Sequence, residues 1–336
     1  MAVSQLTRTL VPTIRIRWSA WIVPALLAGG CIFLVVGSIQ SSLFAQQTVS
    51  GLANGGIYAS LAVALVLIYR ATEVINFAQG ALATFTTFVA WQLLQWGLSY
   101  WPTFVLTLAI AFALGVIVEL VAIRPVERRG NVLTVVIASI GLLILLEGAV
   151  GWIWKPTVRF MPSPFPLHFW HVGGVAFSSQ DIGTIGVSIA SVVVLWAFFR
   201  FTKLGLAMRA AAVRPHAARL VGVRVSWLLS LGWGLAATLG AVAGLLVAPN
   251  PSVQLSPSMM DGILIYAFAA AVLGGLESSI GAVVAGLAIG VVLSLLGSYV
   301  SWVTPQLQLP AAFVLMLIVL LVKPSGLFGR TTVRKV

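Results

Sequence analysis

VSGLANGGIYASLAVALVLIYR, residues 49–70, carries no charge until it ends on Arg70. Its apolar part, 49–69, matches the ~20 residues a helix needs to cross ~30 Å of hydrocarbon, and the arginine marks the side on which it stops. Working outward, the same alternation repeats along the chain. Further apolar runs lie at 19–39, 74–96, 103–123, 132–154, 182–200, 226–248, 260–275, 279–300 and 308–322, of which the eighth and tenth in chain order are short. Every second gap is basic. Arg8, Arg15 and Arg17, then Arg70, then Arg124, Arg128 and Arg129 fall on one side. Arg200, Lys203, Arg209, Arg214, Arg219 and Arg224 join them, followed by Lys323, Arg330, Arg334 and Lys335. The opposite side holds only Lys155 and Arg159 of the 19 Lys and Arg residues. Basic residues resist translocation, so both termini are read as cytoplasmic. The predicted fold class is therefore an all-α polytopic membrane helix bundle of about 10 transmembrane helices. A cytoplasmic segment 1–18 precedes a single transmembrane domain 19–324, and a cytoplasmic tail 325–336 follows it.

Composition excludes the soluble alternatives. A soluble domain is about a quarter charged, whereas this chain is 8% charged and 60% hydrophobic with a mean hydropathy of +1.09. Its net charge of +12 is spread over five cytoplasmic segments, which orientation and anionic lipid explain without a nucleic-acid partner. Cys31 is the one cysteine, so no intrachain disulfide forms. The basic leader and the run at 19–39 resemble a signal peptide, but the run exceeds the usual 7 to 15 residues of a signal core. Residues 40–48 also lack an A-x-A site, and the segment reads as an uncleaved first helix.

The stretch 155–181, with Pro156, Pro162, Pro164 and Pro166, is the longest external loop and divides the runs five and five. Five is odd, so the second half enters from the opposite side, the arrangement of an inverted repeat. Gly51 and Gly55, Gly240 and Gly244, and Gly286 and Gly290 form G-x-x-x-G pairs. Such pairs let helix backbones approach closely. The cytoplasmic segment 201–225 contains LGLAMRAAAVRPHAARLVGVR, in which Pro215 begins a short helix that ends before Gly222. That helix either rests on lipid headgroups or docks a cytoplasmic partner.

Polar residues within the spans are few enough to weigh singly. Asn54, Tyr58, Asn76, Gln79 and Thr84, with Thr86 and Thr87, are candidates for a solute pathway. A solute leaving water needs weak, replaceable hydrogen bonds; the same residues also serve as interhelical ties. Glu147 lies about four residues beyond the middle of its run, where an ionised acid costs on the order of 2.5 to 3.5 kcal/mol, so it either faces the pathway or pairs within the bundle. Glu119 reads as an interfacial acid within reach of a basic group, and Glu73 as a helical neighbour of Arg70. Asp261 and Glu277 bracket the short eighth run, and Asp181 reads as the N-cap of the sixth. His168 and His171 lack the further ligands of a metal site. No catalytic constellation and no cofactor motif stand out. None of the four lysines has the setting of a phosphate-binding loop, so the chain is read as a non-enzyme. A thousandfold uphill gradient needs ~4.1 kcal/mol, which must come from elsewhere.

Six ordered blocks resemble the permease subunits of ATP-driven branched-chain amino-acid importers. They are 51–91 around Ile75-Asn76-Phe77-Ala78, 118–131, 134–148, 205–223, 271–290, and 323–330 with Lys-Pro-Ser-Gly-Leu-Phe-Gly-Arg. The resemblance implies two cytoplasmic ATPase subunits, a second permease, either a related chain or a copy of this one, and an extracytoplasmic solute-binding protein. It also implies a place in the bacterial cytoplasmic (inner) membrane. ATPase coupling would fall to Arg209, Pro215, His216, Ala217, Ala218 and Gly222. His216 stands where the family usually has Glu, Val213 and Arg214 where an acid and a small polar residue are common, and Gln79 and Ala81 where His and an acid are frequent. Urea and short-chain amides are alternative solutes. An ion-gradient-driven carrier using Glu147 is the alternative of another class.

Overall fold

The computed structural model describes residues 42–129, 131–155, 157, 159–166, 168–172, 175–213, 215–250, 253–300 and 304–329. The apolar run at 19–39 and the residues after 329 lie outside them. Helices dominate: α1 (Ser42–Thr72), α2 (Gln79–Gln95) and α3 (Tyr100–Val118) come first. Through a π-helical turn (Glu119–Ile123), α3 continues into α4 (Arg124–Arg129). After α5 (Val132–Trp154) come strands β1 (Phe169–Val172) and β2 (Val175–Ser178). Then follow α6 (Ser179–Phe201), α7 (Lys203–Val213), α8 (Pro215–Leu220), α9 (Val225–Val247), α10 (Asp261–Gly274), α11 (Ser279–Tyr299) and α12 (Pro305–Val322). Six meet the length and apolarity of a membrane span among the described residues: α1, α3 with its extension, α5, α6, α9 and α11. At 1.5 Å per residue α1 is about 46 Å long, more than the hydrocarbon thickness.

Local sequence sets the ends. Asn131, Ser178 and Ser278 cap α5, α6 and α11 by accepting hydrogen bonds from the backbone N–H of Thr134 (3.1 Å), Gln180 (3.2 Å) and Gly281 (3.0 Å). Ser178 thus takes the capping role expected of Asp181. The aspartate sits instead in the first turn of α6, favoured by the positive helix end, and accepts from Ser50 Oγ at 3.1 Å. Glu73 also departs from expectation, because α1 stops at Thr72 and Glu73 turns away with φ 56°.

α1 and α9 occupy the centre, with most of their apolar length buried, while α3, α5 and α6 turn Val105, Ile117, Ile137, Ile144 and Val194 outward. Lipid tails are as apolar as these side chains, so large residues lose little by facing out. The centre is filled by small residues. Added Cβ atoms on Gly51 and Gly55 of α1 would stand 2.7 Å from Val291 Cα and 2.8 Å from Leu287 Cα. From the α11 side, one on Gly286 would stand 2.7 Å from Ala59 Cα, so two of the three G-x-x-x-G pairs close on each other. The third pair, on α9, lies against α2, where a Cβ on Gly240 would meet Gln79 Nε2 at 2.7 Å.

The loop after α5 adds a feature that a purely helical reading omits. β1 and β2 pair antiparallel, with Phe169 opposite Ser178 and Val172 opposite Val175. His171 belongs to β1, and His168 packs edge-on against Trp170 at 5.0 Å. Arg159, one of two basic residues at this end, has its guanidinium 4.6 Å from the Trp91 ring centroid and donates through Nη2 to the Trp154 carbonyl.

Candidate functional site

Two polar regions are built on this frame, one inside the bundle and one at its arginine-rich end. Inside, the segment before α2 brings Asn76 and Gln79 into the core, 2% and 0% exposed. Asn76 Oδ1 accepts from Ala78 N (3.0 Å), and Asn76 Nδ2 donates to Gln79 Oε1 (3.3 Å). Gln79 Nε2 then donates to the Ala236 carbonyl of α9 at 2.8 Å. The pair therefore straps the start of α2 to the middle of α9, and burial makes that strap expensive to break. Thr86 and Thr87 return their hydroxyl protons to Leu82 O (2.9 Å) and Ala83 O (2.8 Å). Thr84 Oγ1 is buried without a hydrogen-bond partner among the described residues.

Tyr58 meets a residue that the sequence did not single out. Its ring lies 5.1 Å from that of Tyr266 on α10, at 34°. Glu147 on α5 stands against Asp261, the first residue of α10. Its Oε1 is shielded from water with no hydrogen-bond partner among the described residues. Asn54 remains exposed on α1. The eight pathway candidates are thus divided: Asn76 and Gln79 meet each other, Tyr58 and Glu147 each meet α10, Thr86 and Thr87 bond within α2, and Asn54 and Thr84 stand apart.

At the arginine-rich end, α7 and α8 form a short arm between α6 and α9. Met208, Ala211 and Ala218 pack with Val225 and Leu228, which seats the arm on the first turns of α9. α8 ends in a Schellman turn: Val223 N donates to Ala218 O (3.0 Å) and Gly222 N to Arg219 O (3.1 Å), with Gly222 at φ 84°. The left-handed conformation explains the glycine, and nothing lies within 4 Å of where its Cβ would be. Ala217 faces out beside Ala218, which is buried. Leu220 and Val221 are 89% and 79% exposed at the tip. Sequence reading passed over them because apolar residues inside an arginine-rich helix resemble its buried face. The side chains of Pro215 and His216, and all of Arg214, lie outside the described residues.

Beside the arm, Glu119 and Arg124 form a buried ion pair. Arg124 donates through Nε to Glu119 Oε1 (2.9 Å) and through Nη2 to Oε2 (2.8 Å), a two-pronged contact with a carboxylate 1% exposed. Arg124 Nη2 also donates to Ser226 O (2.7 Å) and Ser230 Oγ (2.6 Å), and Ser230 Oγ donates to Glu119 Oε2 (2.8 Å). These bonds lock the π-helical turn onto the first turns of α9. An α-helix would place residues five apart about 140° around the axis. The π turn, closed by Arg124 N donating to Glu119 O, brings them onto one face.

The family model described as branched-chain amino acid transport system / permease component matches residues 47–322. The high-affinity branched-chain amino acid transport system permease protein LivH of Escherichia coli (strain K12) is 32% identical over 318 residues, covering 89% of this chain and all of that protein. LivH of Salmonella typhimurium gives the same identity and coverage. BraD of Pseudomonas aeruginosa is 33% identical over 306 residues, covering 87% of this chain and 98% of that protein. A chain so matched, apolar in composition and built from several membrane-length helices, belongs to the family of permease components of branched-chain amino acid transport systems.

Proposed function

We propose that this chain is one of two permease subunits of an ATP-driven importer in a bacterial cytoplasmic membrane, carrying branched-chain amino acids inward. Two cytoplasmic ATPase subunits grip the α7–α8 arm, and an extracytoplasmic binding protein delivers solute to the end that bears β1 and β2. The observation that carries this reading is the apolar tip of α8. Leu220 and Val221 stand out from a helix whose exit is locked at Gly222, and whose other face is packed on α9. A rigid apolar knob at a basic end is a contact surface for protein. Closure of the ATPases then moves α8, and the seat on Val225 and Leu228 carries the motion into α9 and the Gln79 strap.

The orientation proposed has both termini inside and ten crossings, with 19–39 as the first. Helix pairing supports an inverted repeat within it. If α1 corresponds to α9, α2 to α10, α3 to α11 and α5 to α12, then the α1–α11 crossing has its counterpart in α9–α3. By the same operation α1–α10 corresponds to α9–α2, and all four crossings are among the broadest in the bundle. The corresponding helices α2 and α10 are both short, 17 and 14 residues. Short helices at matched positions of two halves are where transporters of this architecture hold their solute.

The pathway accordingly follows α2 and α10, past Tyr58 and Tyr266 and the carboxyls of Glu147 and Asp261. A solute ammonium finds its acceptors in those two acids. Glu147→Gln is expected to lower uptake by about tenfold or more at unchanged chain abundance, measured with radiolabelled leucine in cells; wild-type uptake would remove Glu147 from the pathway. Leu220→Asp and Gly222→Val are expected to abolish ATP-dependent uptake in vesicles holding the whole complex. The first puts charge at the contact, and the second strains the turn by ~1–2 kcal/mol. Full uptake by both variants would refute coupling through this arm.

A further inference from the structure

We infer that the cleft between α1, α6, α7 and the start of α11 is a binding site for an anionic glycerophospholipid. The cleft has a volume of about 370 Å³ and lies at the arginine-rich end of the bundle. Its walls are apolar: Val63 and Leu67 from α1, Val192 and Leu195 from α6, and Val283 from α11. From Val63 to Arg70 the α1 wall runs about 10 Å, enough for the upper part of an acyl chain. Arg70, Arg200 and Arg209 also line the cleft against one acid, Glu277, an excess of two positive charges, and Arg70 and Arg200 are exposed. No ion pair neutralises the three guanidiniums among the described residues, and Arg209 Nε is buried without a hydrogen-bond partner.

Cations gathered over an apolar slot match a phosphate attached to an acyl chain, and neither half of the site explains the other half. An apolar helix would leave the arginines unpaired, and free phosphate would leave the walls bare. An arginine-rich pocket between membrane helices at the cytoplasmic face is the usual form of an anionic-lipid site. The lipid would also tie α1 and α6 to Arg209 of α7, and so hold the arm against the bundle. The assignment rests on neither the solute nor the exposed tip of α8, so its failure leaves those readings standing.

Native mass spectrometry of the full chain, titrated in detergent with phosphatidylglycerol or phosphatidylcholine, tests the site. Retained phosphatidylglycerol is expected to exceed retained phosphatidylcholine by about tenfold. Arg200→Gln combined with Arg209→Gln is expected to weaken retention about thirtyfold. Val192→Trp keeps every charge but fills the slot, and is expected to lose retention as well. Equal retention of the two lipids overturns the inference, as does wild-type retention by both variants; the cleft then belongs to protein, either the 19–39 run or a partner chain. Displacement by inorganic phosphate would make it a free-phosphate site and overturn the lipid assignment.

Discussion

Arg124→Ala is expected to cost about 3 to 5 kcal/mol and to remove most of the chain from the membrane fraction. Glu119 is 1% exposed, and the substitution strips its carboxylate of both guanidinium contacts, leaving Ser230 Oγ as its remaining side-chain donor. Ser226 O loses its contact with Arg124 as well. A buried charge left this way is costlier than one never introduced. Replacing both partners, Glu119→Leu with Arg124→Met, is therefore expected to recover a large part of the loss. Thermal unfolding of the detergent-purified variants measures the difference. A double variant no more stable than Arg124→Ala would show that the pair is needed as a pair. Its position gives that outcome meaning too, since the network joins the π-helical turn to the same turns of α9 that seat the arm.

Much of this was legible in sequence, and the reasons differ by element. Apolar runs between arginine-bearing gaps located α1, α5, α6, α9 and α11 because lipid allows only helices whose backbone groups are satisfied within the segment. The G-x-x-x-G pairs announced close packing, but not which pairs meet. That depends on the rotation of each helix, which small residues distributed around α1 do not encode. Pro215 and Gly222 marked both ends of α8 because each fixes a backbone conformation. Glu119 read correctly as an acid within reach of a basic group, yet the π-helical turn that aligns it with Arg124 has no sequence signature.

The pathway was harder to read. Asn76 and Gln79 attract notice as polar residues in an apolar stretch, and three residues of separation suggests that they touch. Nothing in the sequence says that Gln79 ends on a carbonyl of α9, 157 residues away. Asp261 looked like a boundary residue because it opens a short run, and its approach to Glu147 depends on how α10 meets α5. Leu220 and Val221 stand exposed because the Schellman turn fixes the direction of the chain after α8, and only the folded arm reveals it.

Gly290→Leu is expected to disrupt the bundle at its broadest crossing. A Cβ at Gly290 would fall on the Gly55 backbone and the Gly51 carbonyl, and no side-chain rotation relieves contact with backbone. The helices must separate. In water a hydrophobic gain elsewhere could offset that movement, but in lipid the helices are held by contact itself, so distance removes the attraction directly. Overpacking costs about 1 to 3 kcal/mol in soluble cores, and separation along a crossing with four glycines puts this variant at or above the upper end. Gly141→Leu is the matched control, because nothing lies within 4 Å of that position and α5 faces outward there. It gains helix propensity at no steric cost and is expected to unfold at or above the wild-type temperature. If Gly290→Leu and Gly141→Leu unfold alike, α1 and α11 are not held by the contact between their glycines, and the crossing that centres the bundle would need another source of attraction.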